Sequence, residues 1–172
     1  SVVPAGDEAD AWVVPARTSG AAGDAAGIGL FLVEKNASGT AVRGFPTQDG
    51  ARAAQLDLKS APATLLSDNG LPLLEHAIDA GIAALCAEGV GAMEKLLAIT
   101  VEYMNTRKQF GVPIASFQAL RHRVADVKMQ LELARSMSYF ASLKLGEPPA
   151  QRRRALSQAK VQLGQSMRLV SQ

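Results

Sequence analysis

Hydrophobic residues fall in two different rhythms along this chain. Up to about residue 66 they come in short β-rich runs separated by Gly and Pro: Trp12–Val14, Ile28–Val33, Ala53–Leu58 and Ala63–Leu66. Such runs between turn residues predict strands. Pro46-Thr47-Gln48-Asp49-Gly50 lies between two of them, and Asp-Gly ahead of a strand is a turn signal because Gly accepts positive φ, so antiparallel pairing is expected. The Gly- and Ala-rich stretch 21–27 and Asn36-Ala37-Ser38-Gly39 are both expected to be mobile loop tips.

From about Ser67–Gly70 the spacing changes to threes and fours, the period of helices. Leu74, Ile78, Leu85, Met93, Leu97, Val101 and Met104 predict a first helix over about 73–106, with Asp68 or Asn69 as its cap and Gly81, Gly89 and Gly91 as weak points. At 1.5 Å per residue it would be roughly 50 Å long. Phe117, Leu120, Val124, Val127, Leu131 and Ala134 predict a second, starting after Pro113 with Ser116 as N-cap and stopping at Gly146-Glu147-Pro148-Pro149. Leu156, Ala159, Leu163, Met167 and Val170 predict a third, whose stripe is still running at Gln172. The expected class is α+β: a partial antiparallel β-domain over 1–68, then long antiparallel helices of an incomplete bundle over 69–172. Apolar faces this broad call for further helices, from additional sequence and from a second subunit.

Composition narrows the function classes. The 172 residues are 48% hydrophobic, and 18 basic against 16 acidic residues leave a net charge of +2, so charge makes no case for nucleic acid or a membrane surface. No run approaches the ~20 apolar residues of a membrane span. The single cysteine, Cys86, reads as a small buried hydrophobe and cannot form an internal disulfide, which fits a reducing compartment or a chain that needs no staple, and the reading leans to a cytoplasmic setting.

Individual residues admit two readings each. Arg107 and Lys108 close the first helix, where cations complement the negative pole of its dipole; equally, a guanidinium and a nearby helix N-terminus at 116–118 suit a pyrophosphate. Phe110 and Phe117 are core anchors or ligand contacts. Asp79 is a solvated helix acid on its own evidence, and His122, with no second ligand, gives no metal site. Arg152-Arg153-Arg154 opens a helix against its dipole and reads as a surface run or a salt-bridge partner.

The run Tyr103 to Gln118, containing Arg-Lys-Gln-Phe-Gly, Pro-Ile and Phe-Gln, followed by His122-Arg123-Val124-Ala125-Asp126 and Glu132-Leu133-Ala134-Arg135, resembles the helical-domain signature of the acyl-CoA dehydrogenases. Ala9–Arg17 and Gly29–Val33 are similar to late strands of that family's middle domain, so the likeness covers essentially the whole chain. Residues 83–93 are similar to bacterial pimeloyl-CoA dehydrogenase small subunits.

The resemblance implies FAD as cofactor, with Arg107, Lys108, Gln109, Phe110, Phe117 and Gln118 reaching across a subunit interface to its pyrophosphate and adenosine end. It implies an acyl-CoA substrate, contacted in some members at the position of Asp79. It also implies oxidation to the trans-2-enoyl-CoA, electron transfer to an electron-transfer flavoprotein, and a homo-oligomer, dimer or tetramer. The family's base is a glutamate, in most members beyond the point this chain reaches, and in an isovaleryl-type minority on the first long helix, where Gly81 stands here; Glu75 and Glu88 do not match it. The flavin-ring motif would precede Ser1. The chain by itself is therefore expected to be inactive. The alternatives are an acyl-CoA oxidase and a non-catalytic helical scaffold module.

Overall fold

The computed structural model describes all 172 residues. Two compact units, Ser1–Glu75 and His76–Gln172, divide it. The cut falls seven residues beyond the expected 68/69 boundary, inside a helix, because the first turn of that helix packs on the sheet. A Cβ on Gly70 would stand 2.8 Å from Leu30 Cγ, so only glycine lets the backbone lie this close.

The first unit is two small antiparallel sheets. β2 (Ala11–Arg17), β3 (Ile28–Glu34) and β6 (Thr64–Ser67) form one in the order β2-β3-β6; β1 (Val2–Pro4), β5 (Arg52–Leu58) and β4 (Thr40–Pro46) form the other in the order β1-β5-β4. Trp12 pairs with Val33 across β2 and β3, and both are buried with Leu56 of β5 in a core between the sheets. Trp12 Nε1 donates to the Gly6 carbonyl at 3.1 Å, so the indole is buried with its one polar atom satisfied.

β1 and β4 were not foreseen. β4 carries Arg43 and Gly44, and its half-buried positions Thr40, Val42 and Phe45 give too few apolar residues to register as a run. The expected turn closes the β4–β5 hairpin: Thr47 N–H donates to the Ala51 carbonyl at 2.9 Å, with Gly50 at φ +83°. The loop at 21–27 is not the free tip expected. Arg17 gathers it by donating to the carbonyls of Ser19, Asp24 and Ala26, at 3.2, 2.7 and 3.0 Å.

The second unit is helical. α1 (Gly70–Thr106) runs unbroken through its three weak points, α2 is Gln118–Leu143, and α3 is Pro149–Val170, which starts on the proline that the first turn tolerates. The core consists of Ala83, Cys86, Val90 and Met93 of α1, Leu131, Ala134 and Ala141 of α2, and Ala155, Leu156, Ala159 and Leu163 of α3. Small residues dominate this list, and Gly89 extends the pattern: a Cβ there would lie 2.9 Å from Met167 Sδ and 3.1 Å from Leu163 Cδ1.

The apolar stripe expected on α1 divides into two faces. Met93 and Met104 are buried as anticipated, but Ile78, Leu85 and Val101 lie exposed. α1 is thus apolar on two sides, one packed in the helical core and the other bare in this chain. No helix is long and apolar enough to cross a membrane.

Candidate functional site

The connection between α1 and α2 carries six of the residues singled out in the sequence. α1 ends at Thr106, so Arg107 and Lys108 stand just past its last turn. β7 (Lys108–Gln109) and β8 (Val112–Pro113) then form a two-stranded hairpin, with Gln109 opposite Val112 and Lys108 opposite Pro113. Its base is closed by Ile114 N–H donating to the Arg107 carbonyl at 2.8 Å.

The tip is Phe110-Gly111, with φ of +54° and +81°. Two successive positive φ values are what a tight hairpin with right-twisted strands demands, and Gly is made for the second. Phe is not made for the first: a residue with a Cβ in the left-handed region costs about 1–2 kcal/mol. The ring is also 91% exposed and meets Phe117 in a T-shaped arrangement, centroids 6.1 Å apart and planes at 86°. Phe110 is therefore no core anchor, while Phe117 is half-buried and serves the loop.

Ser116 is not the N-cap of α2. It sits in a short 3-10 turn, Ile114–Ser116, where its Oγ donates to the Pro113 carbonyl at 2.7 Å. The cap position falls to Phe117, and no side chain caps the helix start. Arg121 Nε reaches back to the Ala115 carbonyl at 2.7 Å and fixes the turn. The side chains of Arg107, Lys108 and Gln118 are exposed, and the only side-chain bond among these polar residues is Gln109 Nε2 to the Lys108 carbonyl, 2.9 Å. Two unengaged cations, an exposed aromatic and an uncapped helix N-terminus thus share one hairpin, a donor set that fits a dinucleotide phosphate with a planar ring system beside it. Arg107, Lys108 and Phe110 are the groups that would hold it.

Asp79 lies elsewhere, on the buried side of α1, and is not the solvated acid its sequence position suggested. Arg152 Nε donates to Asp79 Oδ2 at 2.7 Å, and the two side chains are 8% and 7% exposed. Of the three consecutive arginines, then, the first is buried and the other two are exposed. The signal was present: Arg152 is followed by Ala155, Leu156, Ala159 and Leu163 at helical spacing, which places it on the apolar stripe of α3. Arg152 Nη1 also approaches the Glu147 carbonyl of the α2–α3 turn at 3.5 Å. A second ion pair, Arg135 to Glu94 at 3.2 Å, joins α2 to α1.

Gly81, two residues on from Asp79, is exposed and has nothing within 4 Å of where a Cβ would stand. Cys86 is 1% exposed, and burial pushes its thiol up, only partly opposed by the charge of Lys160. It behaves as the small hydrophobe expected. His122 is exposed, and no group of three potential metal ligands occurs.

A β-unit of antiparallel sheets followed by a long helix, a cationic hairpin and a helix pair defines an α+β architecture, and comparison with known proteins gives it a family. Residues 68–172 match the family described as acyl-CoA dehydrogenase, C-terminal domain, and the chain belongs to the acyl-CoA dehydrogenase family. It is similar to the short-chain-specific acyl-CoA dehydrogenase of Megasphaera elsdenii, 31% identical over 150 residues, which are 83% of this chain and 39% of that protein. It is also similar to acyl-CoA dehydrogenase IpdE2 of Mycobacterium tuberculosis, 44% identical over 86 residues, 49% of this chain and 27% of that protein. The structure resembles butyryl-CoA dehydrogenase from Megasphaera elsdenii with a TM-score of 0.77 at 26% identity, covering 99% of this chain and 49% of that one. The chain thus spans well under half the length of the curated relatives it matches.

Proposed function

We propose that this chain is part of an FAD-dependent acyl-CoA dehydrogenase that oxidises an acyl-CoA thioester to the trans-2-enoyl-CoA and passes the electrons to an electron-transfer flavoprotein. The observation that carries the reading is the α1–α2 hairpin. Phe110 in a costly backbone conformation, bare to solvent, beside the unengaged Arg107 and Lys108, is arranged for a partner and not for this chain's own core.

In this reading Arg107 grips the pyrophosphate through its planar fork, and Lys108 adds a point charge. Gln109 and Gln118 contribute amide hydrogen bonds, and Phe110 and Phe117 offer ring faces and edges to the adenosine end. When bound, the flavin supplies the hydride-accepting chemistry. The hairpin serves the neighbouring subunit of a homo-oligomer, since an exposed aromatic tip and the uncovered apolar face of α1, with Leu73, Ile78, Leu85 and Leu96, both call for covering surfaces.

Asp79 borders the acyl-CoA, whose pantetheine arm offers amide donors to a carboxylate. Gly81 gives α1 no base at the minority position, so the α-proton goes to a glutamate outside this chain.

The deciding experiment is anaerobic titration of the flavin-loaded full-length protein with saturated acyl-CoA thioesters of short, long and dicarboxylic chains. Loss of the oxidised flavin absorbance with at least one of them is expected. No bleaching with any would overturn the assignment.

A further inference from the structure

Three segments meet at the base of the hairpin: the last turn of α1, the 3-10 turn Ile114–Ser116 and the first turn of α2. One side chain ties the last two together. Arg121 is exposed, has no carboxylate partner, and stands one turn into α2, where a cation faces the positive pole of the helix dipole. Its charge is badly placed for the helix, but its reach is not: Nε donates to the Ala115 carbonyl, six residues back, at 2.7 Å.

This bond does what a cap would do. No side chain caps α2, because Ser116 Oγ is committed to the Pro113 carbonyl and the cap position holds Phe117, which has no hydroxyl. The remaining hydrogen bonds between the 3-10 turn and α2 are main-chain ones, Phe117 N–H to the Ile114 carbonyl at 3.1 Å, then Leu120 and Arg121 N–H to the Phe117 carbonyl at 3.1 and 3.2 Å. On its other side the turn is bonded to the hairpin, with Ile114 N–H donating to the Arg107 carbonyl at 2.8 Å. A chain of contacts thus runs from the Arg121 side chain through Ala115 and Ile114 to the backbone of Arg107, the cation assigned to the pyrophosphate. Arg121 also borders, with Val101, Met104 and Asn105 of α1, a recess of about 230 Å³ between the two helices, so its side chain stands where the spacing of the helix ends is set.

We propose that Arg121 is a positioning residue of the cofactor hairpin: by holding the Ala115 carbonyl it fixes the 3-10 turn, and with it the placement of Arg107 relative to the open N-terminus of α2, in the arrangement that receives the dinucleotide phosphates. This rests on the reading of the hairpin as the FAD site. Arg121 itself touches no cofactor atom. Without the tether the turn populates other arrangements, and the apparent affinity falls with the fraction of molecules still competent to bind.

The test compares two substitutions in the full-length protein. Gln carries Nε2 the same number of bonds from Cβ as arginine carries Nε, so Arg121→Gln keeps the donor and drops the charge, whereas Arg121→Met has similar length and no donor. Both are good helix formers at an exposed position, so both variants fold. Each protein is stripped of flavin and titrated with FAD well below its thermal midpoint, with flavin fluorescence as the signal. Arg121→Met is expected to raise the dissociation constant about fivefold, the factor equivalent to the ~1 kcal/mol of one hydrogen bond, and Arg121→Gln to stay within about twofold of the unmodified protein.

A Met variant that binds FAD within about twofold of the unmodified protein overturns the proposal even if its cofactor-free form melts lower, since the contact then serves only the stability of the turn. So does a Gln variant weakened as much as the Met variant, because the guanidinium charge and not the tether would then be what the cofactor needs. An unmodified cofactor-free protein that takes up no FAD removes the hairpin reading and this proposal together, whereas equal uptake by the unmodified protein and both variants removes Arg121 alone.

Discussion

Phe110 offers a perturbation in which structure and function pull in opposite directions. Replacing it with Asn creates Asn-Gly at positions 110–111, the pair that two successive positive φ values favour most. The fold gains the relief of a bulky residue from the left-handed region, about 1–2 kcal/mol. It loses the edge contact with Phe117, about 0.5–1.5 kcal/mol for a buried aromatic pair and towards the low end for a ring that is 91% exposed. Little burial is lost with it. The net expectation for Phe110→Asn in cofactor-free protein is therefore between no change and a gain of about 1.5 kcal/mol. Phe110→Gly gains the same relief but adds about 0.5–1 kcal/mol of backbone entropy to be lost on folding, so it should fall slightly below Asn.

Flavin retention should move the other way. Both variants of the full-length protein should lose FAD on dialysis more readily than the unmodified protein, because the one large apolar surface of the hairpin tip is gone. The assay pairs chemical denaturation of the cofactor-free protein with the flavin-to-protein absorbance ratio after dialysis. Destabilisation of the cofactor-free protein by more than about 1 kcal/mol would show that Phe110 anchors the fold after all. Unchanged flavin content would remove the hairpin from the cofactor site.

Two further expectations concern stability. Gly91 and Gly89 lie on the same helix, yet a Cβ at 91 meets nothing within 4 Å while one at 89 meets Met167 and Leu163 at 2.9–3.1 Å. Gly91→Ala should raise the unfolding free energy by the helix-propensity gain of about 1 kcal/mol, read from chemical denaturation, and Gly89→Ala should gain nothing, since crowding of the buried Leu163 cancels it; equal effects of the two would refute the packing account. In the β-unit, the hydrogen bond from Arg52 holds the Asp7 carboxyl below its ordinary value of 3.8. A depressed carboxyl stabilises the fold above its unfolded pKa and loses that contribution as pH falls through the folded one. Asp7→Asn should therefore flatten the fall of the thermal midpoint below about pH 5, and an identical pH profile would count against the pair.

The sequence alone determined the change of period near Ser67, and with it the succession of strands and helices. The strands at Ile28–Val33 and Ala53–Leu58 and all three helices could be placed because their apolar spacing is long and regular, and the Arg-Lys-Gln-Phe-Gly run could be read because its residue types sit together in the chain. Short range sufficed for these. β4 was not visible, since its apolar content is thin and its strand character comes from seven paired positions on β5, a partner the residues themselves do not name. The N-cap of α2 falls at Phe117, one residue after the expected Ser116, because Ser116 spends its hydroxyl on the Pro113 carbonyl, a choice made by the 3-10 turn. Whether Phe110 was a core anchor or a bare tip depended on the two positive φ values of the hairpin, and the sequence pattern of an aromatic beside a glycine permits either. Asp79 and Arg152 show the division most sharply. Each is a charged residue on a helix, and residue type alone places both in water. Only the packing of α3 against α1 brings them within 2.7 Å and closes them off from solvent, because the apolar stripes that align the two helices carry these two charges along with them.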